Sequence, residues 1–338
     1  MRTLEQLDQY LYNVTDELVA DVKGLTGDIM ILGAGGKMGP SLTKLAQLAV
    51  NAAKSDKKVI AVSRFSNREA RQELEELGIQ IISADLMDDD ALQRLPETEN
   101  ILYMAGTKFG TTGNEHLTWA MNAYLPGRVA GKFKRSRIVA FSTGNVYPLT
   151  AIKSNGPSED HPVGPVGEYA QSCLGRERMF EHFSQANGTS VLIYRLNYAI
   201  DLRYGVLLEI AKAVKSGRPV NLAMGYVNII WQGDANQIAI RCLKLCSSPP
   251  EKLNVTGSTI TSVKWIAQEF GKLFGLEPTF ENEEEPTALL SNAAKMEELF
   301  PFRKVSVKEM ISMTAEWLQL DGPMLNKPTH FQERTGKF

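Results

Sequence analysis

Residues 28–40 read DIMILGAGGKMGP, an apolar run that breaks into glycines and resumes with helical spacing. A chain with this pattern leaves a strand, turns tightly and enters a helix. Gly33, Gly36 and Gly39 each have a physical job at that spacing. The first permits the turn, the second lets a pyrophosphate approach the backbone, and the third lets helix pack closely on strand. N–H groups at the start of the helix near Lys37 then face an anion, which the helix dipole favours. The competing reading is a structural glycine turn without a ligand, and the rest of the chain has to decide between them.

Bulk properties exclude several classes. In 338 residues, 37 Lys and Arg nearly balance 39 Asp and Glu, so neither a nucleic-acid footprint nor a membrane-surface attraction is indicated. The N-terminus lacks the basic start and apolar core of an export signal, and no apolar run approaches a membrane span. A soluble, cytoplasmic protein is expected. Three cysteines, at 173, 242 and 246, are too few for a disulfide framework. Cys242 and Cys246 lie on a helical stretch without a nearby histidine and read as buried thiols, so no metal site is expected.

Residues 1–26 carry apolar positions at helical spacing and form an N-terminal helical extension. Strands are expected at 28–33, 58–63, 79–84, 100–105, 137–143 and 190–196. Helices fall between them at 39–53, 67–77, 113–132 and 166–186, with a shorter one near 88–94. Strict alternation implies an α/β fold, a doubly wound parallel sheet of Rossmann type over residues 27–200. After Arg195 the rhythm changes. Helices are expected at 204–216, 234–247, 261–275 and 305–320, with short strands at 219–222, 227–231 and 252–256. Residues 201–338 are therefore expected to form most of a smaller mixed α/β substrate lobe, interleaved with the first domain and sharing a cleft with it.

The glycine turn is followed in order by AVSRF, SADLMD, MAG, FSTGNVYP, GEYAQSCLGRERMFE, RLNYAID, WQGDAN and LSNAAKMEELF. This series resembles the extended short-chain dehydrogenase/reductase family, which contains NAD(P)-dependent epimerases and dehydratases, over roughly residues 28–300. The resemblance implies that Gly33, Gly35, Gly36, Lys37, Met38 and Gly39 hold the cofactor phosphates. It places Ser63 and Arg64 at the adenosine ribose, Asp85 and Leu86 at the adenine, and Ala105 and Gly106 against the cofactor after the fourth strand. An acid at position 64 would accept from a free 2′-hydroxyl, whereas a guanidinium suits a 2′-phosphate. Arg64 therefore favours NADP over NAD. Asp85 either contacts adenine or caps the next helix. Thr143 falls on the hydroxyl that binds the reacting oxygen, Tyr169 on the proton-transferring phenol, and Asn197 on the segment closing over the nicotinamide. Asp234 reads as a helix N-cap. A homodimer pairing the helices at 113–132 and 166–186 is also implied.

One departure matters most. The family places lysine four residues after the tyrosine, on the same helix face, and this chain has Cys173 there. An ammonium about 4 Å away, at an effective dielectric near 20, is worth roughly 4 kcal/mol, or about three pKa units. Without it Tyr169 keeps a pKa of about 10, leaving about one phenolate per thousand molecules at pH 7. Alcohol oxidation needs that phenolate, whereas carbonyl reduction needs only a proton donor, so reduction is favoured. Lys108 or Lys153 either reaches the cleft as a substitute or is a solvated surface lysine. Cys173 itself is either a nucleophile or a small buried residue. The arginine that often clamps a nucleotide-sugar diphosphate is replaced by Val227 and Asn228. Lys108, Asn145 and Arg203 are weaker substrate candidates, and Arg203 and Arg218 either meet an anionic substrate or are surface charges. These features point to an NAD(P)-dependent oxidoreductase or epimerase acting on a sugar or sugar-derived hydroxyl or carbonyl, with a sugar acid at least as fitting as a nucleotide sugar. The alternatives are a dinucleotide-binding sensor or partner subunit with weakened catalysis, and a lyase or dehydratase using the nicotinamide transiently.

Overall fold

The computed structural model describes residues 3–110, 112–327 and 329–337. Apolar runs form the strands β1 (Ile29–Leu32), β2 (Val59–Ser63), β3 (Gln80–Ser83), β4 (Asn100–Tyr103), β5 (Arg137–Thr143), β6 (Ser190–Leu196) and β7 (Glu251–Val255). They build one seven-stranded sheet in the order β7-β6-β5-β4-β1-β2-β3. Every neighbouring pair is parallel. All four residues of β1 are buried, because a parallel sheet is covered on both faces and its central strands need no polar side. The order reverses between β1 and β4, which opens a crevice beyond their carboxyl ends.

Helices cover both faces. Ile29 and Ile31 pack into one core with α2 (Asp16–Gly24), α3 (Gly39–Ala52) and α10 (Gln232–Arg241). Met30 and Leu32 face the other way, towards α7 (Leu125–Lys132) and α8 (Gly167–Asn187). Between β2 and β4 run α4 (Arg68–Glu76) and α5 (Asp89–Gln93). A third core belongs to the C-terminal lobe and joins α9 (Val206–Lys215), α11 (Val263–Phe274) and α13 (Val307–Gln319), with α12 (Ala294–Leu299) beside the sheet. The N-terminal helices are built into both parts. Leu7 and Leu11 of α1 (Leu4–Leu11) are buried in the lobe core, while Leu18 and Val22 of α2 lie under the sheet. Trp231 Nε1 donates to Tyr10 O at 3.0 Å. No described helix is long and apolar enough to cross a membrane.

Three local expectations are corrected. The strand at 252–256, expected in the lobe, is β7 and extends the main sheet alongside β6. Its five residues match a strand in either part, and the vacant edge of β6 decides where they pair. The helix expected at 113–132 is a helix α6 (Glu115–Trp119), a π turn (Ala120–Tyr124) and α7 in succession. Asp234 is no N-cap. Trp231 occupies that position, and the Asp234 carboxylate accepts from Val305 N at 2.8 Å, which ties α10 to the approach to α13.

Candidate active site and cofactor cleft

Gly33 sits at φ +96°, and a Cβ there would lie 2.7 Å from Ala105 N. A Cβ on Gly39 would come 2.3 Å from Ala34 O, so the glycine lets α3 close onto the turn. Both are places where any larger residue displaces backbone. Met38 precedes the first turn of α3, and no side chain caps it; its amides therefore suit an anion. In front of this turn lies a cleft of about 290 Å³ lined by Gly33, Gly35, Gly36, Ser63, Arg64, Asp85, Leu86, Ala105 and Gly106. Nine residues expected at the cofactor therefore share one wall system. Bare glycine backbone, uncapped amides and an exposed guanidinium fit a dinucleotide. Asp85 does not cap α5. Asp88 does so, accepting from Ala91 N at 2.7 Å, and Asp85 accepts from Met87 N at 3.0 Å.

Besides Gly39, which packs α3 onto the turn, three expected cofactor residues lie outside this lining. Lys37 turns its ammonium over the Phe109 ring, 4.3 Å from the centroid, on the substrate side. Met38 and Asn197 do not line the cleft. Asn197 is buried below Gly144, and its amide donates to Asn228 Oδ1 at 3.2 Å. Asn228 in turn donates to Ser291 O at 2.6 Å, so this amide pair forms the floor of the site.

Thr143 ends β5 and Tyr169 stands in the first turn of α8. Thr143 and Cys173 both lie beside the Tyr169 hydroxyl and bear on its ionisation. Cys173 is fully buried one turn further on, packed with Val146 and Tyr147. Burial pushes the Tyr169 phenol well above its ordinary range, with the neighbouring thiol adding to the rise and Arg176 opposing it. Burial also raises the Cys173 thiol, which is the environment of an inert cysteine rather than a nucleophile. The Asn145 backbone N–H donates to Thr143 Oγ1 at 3.2 Å. Arg203 binds Asp201 through two nitrogens, at 3.0 and 2.7 Å, which neutralises its charge where it stands. Lys153 and Arg218 are exposed on the surface. Lys108 is not; its ammonium lies 5.5 Å from the Tyr169 ring centroid.

Two residues that the sequence reading missed complete the site. Arg176, two turns beyond Tyr169 on the same helix face, donates to Phe141 O at 2.6 Å and to Asn122 Oδ1 at 2.8 Å. Asn122, inside the π turn, accepts from Thr107 N at 2.9 Å and donates to Thr107 O at 2.8 Å. The spacing of Tyr169, Cys173 and Arg176 was readable as one helix stripe. Asn122 gave no signal, because only the π turn aims it inwards. Beneath them, Glu177 receives Arg195 at 2.7 Å and Ser142 at 2.6 Å, a buried pair that fixes α8 to β5 and β6.

Residues 29–200 match the model of the NAD dependent epimerase/dehydratase family. The chain belongs to that family. Its fold recurs in solved structures. UDP-glucuronic acid 4-epimerase from Bacillus cereus, solved with NAD, superposes with a TM-score of 0.71 at 16% identity, covering 86% of this chain and 99% of that one. The UDP-Glc/GlcNAc 4-epimerase from Campylobacter jejuni gives 0.69 at 21% identity, covering 86% and 98%. Pal from Bacillus thuringiensis gives 0.70 at 16% identity, covering 86% and 99%. No curated protein sequence matches this chain. In this chain Cys173 and Arg176 follow Tyr169 on the same face of α8.

Proposed function

We propose that this member of the family is an NADP(H)-linked oxidoreductase or epimerase-like enzyme acting on a small sugar or sugar-derived acid, with carbonyl reduction favoured over oxidation. The observation that carries this reading is the Tyr169 hydroxyl, set beside Thr143 and held neutral by burial, in a chain whose glycine turn walls a separate open cleft. Arg64 lines the cleft at the end of β2, where a ribose 2′-phosphate would lie. The cofactor supplies the hydride chemistry when bound. Thr143 and Tyr169 hold the substrate oxygen, and Tyr169 gives it a proton in reduction. A neutral phenol performs that step, whereas oxidation would first require the phenol to ionise.

The lobe adds a small basic cavity. Arg203, Tyr204, Glu209, Lys212 and Lys327 line about 200 Å³ there. Lys37 borders the same region, where burial and Lys327 push its ammonium down to about 8. A compact, acidic substrate suits that space and its lysines better than a nucleotide sugar. Dimerisation is part of the same reading, because Leu117, Trp119 and Tyr124 on the Glu115–Lys132 segment are exposed apolar residues available to a second copy.

The test is a titration of the purified protein with NADPH and NADH by nucleotide fluorescence. Nicotinamide absorbance is then followed with sugars, sugar acids and their keto forms. Turnover of keto forms with NADPH, faster than the reverse reaction at pH 7, is expected. Tight nucleotide binding with no turnover in either direction would leave the dinucleotide-binding sensor as the better description.

A further inference from the structure

We propose that Lys108, delivered from the loop after β4, takes the place of the lysine missing at Cys173 and is the ammonium partner of Tyr169 in proton transfer. This inference rests on the oxidoreductase reading for its kinetics, though not for the placement of the lysine.

The position follows from how the loop is held. Asn122 clasps both the N–H and the carbonyl of Thr107, so the backbone is pinned one residue before Lys108. A Cβ on Gly106 would strike Arg176 Nη2 at 2.3 Å, so the loop also lies directly on α8. From that anchor the Lys108 ammonium comes over the rings of Tyr169 and Phe109, 5.5 and 5.6 Å from their centroids. Among the described residues, Tyr169 and Cys173 come to it from α8, Lys37 from the glycine turn and Glu209 from α9, with Arg176 behind Cys173. Lys37 opposes the Lys108 charge, while Glu209 and a Cys173 thiolate favour it. Burial and the Lys37 charge bring Lys108 down to about 8.

A group with that pKa, beside a phenol that does not itself ionise, is suited to passing protons at neutral pH. In reduction, Tyr169 gives its hydroxyl proton to the substrate oxygen, Lys108 returns a proton to Tyr169, and solvent reprotonates the amine. The net result is one solvent proton delivered to the new hydroxyl. The family arrangement reaches Tyr169 from its own helix. Here the charge arrives from the opposite wall, which leaves position 173 free to be small and apolar.

Two measurements test this. The first needs no substrate: the lysine Cε resonance lost in Lys108→Met is followed with pH in uniformly labelled protein. A midpoint near 8 that moves upwards in Lys37→Met is expected, and a midpoint in the ordinary lysine range would overturn the placement. The second is kinetic, on variants whose melting curves match the wild type. Lys108→Met should lower kcat for reduction by on the order of a hundredfold, as for loss of a proton-transfer partner. It should also abolish the fall in rate above pH 8. Adding Cys173→Lys to Lys108→Met should recover at least about tenfold, the range of a lysine acting on the tyrosine from the helix. A folded Lys108→Met with unchanged kcat and pH profile overturns the proposal. If wild-type protein turns nothing over, the oxidoreductase reading fails, and the lysine titration still decides where Lys108 stands.

Discussion

At the scale of single residues, the proposed preference for NADP rests on one side chain just after β2. Arg64 is exposed and lines the cleft beside Ser63, so its guanidinium is available to an anion without breaking a buried pair. Arg64→Asp should exchange attraction for a 2′-phosphate for repulsion and offer an acceptor to a free 2′-hydroxyl. The ratio of NADPH to NADH affinity should fall by at least about tenfold, equivalent to about 1.4 kcal/mol, as measured by calorimetric titration of both nucleotides. An unchanged ratio would remove Arg64 from the adenosine site. Arg176 behaves differently because each of its three nitrogens donates to a partner inside the protein. Its charge reaches Tyr169 and Cys173 through the helix face they share.

At the scale of elements, the helices place charges as well as covering the sheet. Asp234, in the first turn of α10, lies where the dipole favours a carboxylate and accepts from Val305 N. Burial outweighs both effects and raises its pKa to about 6. A carboxyl whose pKa rises from 3.8 to about 6 on folding binds its proton more tightly in the native state. Stability is therefore highest below pH 4 on this account, declines as pH rises through 6, and is lower above it. Asp234→Asn keeps an acceptor for Val305 and removes the buried charge. It should raise stability by on the order of 1–3 kcal/mol at pH 8 and change it little near pH 4. Urea unfolding at the two pH values measures this, and an equal change at both would contradict the assignment. α13 shows the opposite case, where Ser306 and Glu309 satisfy each other in a capping box and hydrogen bonds hold Glu309 down at about 2.

At the scale of the molecule, the segment after α13 joins the lobe to the mouth of the active site. Leu325 N donates to Arg203 O at 3.0 Å, Tyr198 Oη to Phe331 O at 3.2 Å, and Arg334 Nη1 to Thr287 O at 2.7 Å. Gly336 then lies against Val166 and Gly167, where a Cβ would meet Val166 O at 2.3 Å, just before Tyr169 begins its helix turn. The described residues of this strap lie beside Arg203, Thr287 and Val166, and none of them lines the cleft at Arg64. Ending the chain at Leu320 should raise KM for the small substrate at least about tenfold through lost positioning contacts, with nucleotide affinity within about threefold. Steady-state kinetics and nucleotide titration check both. A parallel loss of nucleotide binding would show that the strap supports the sheet rather than the substrate.

The amino-acid sequence by itself determined six of the seven sheet strands and the glycine turn. Those features rest on local rules, the alternation of buried strands with helices and the backbone freedom that Gly33 and Gly39 alone supply. The resemblance of its motifs to the family pointed to Tyr169 and to the departure at Cys173, and helix periodicity places the two on one face. Only the tertiary structure decided what surrounds that anomaly. Lys108, Lys37, Asn122 and Glu209 come from four different segments, and nothing in their spacing along the chain relates them to Tyr169. The same holds for β7, whose five residues were compatible with either part until β6 offered an open edge. Contacts between distant segments depend on how whole elements pack, and that information is not contained in any short stretch of the chain.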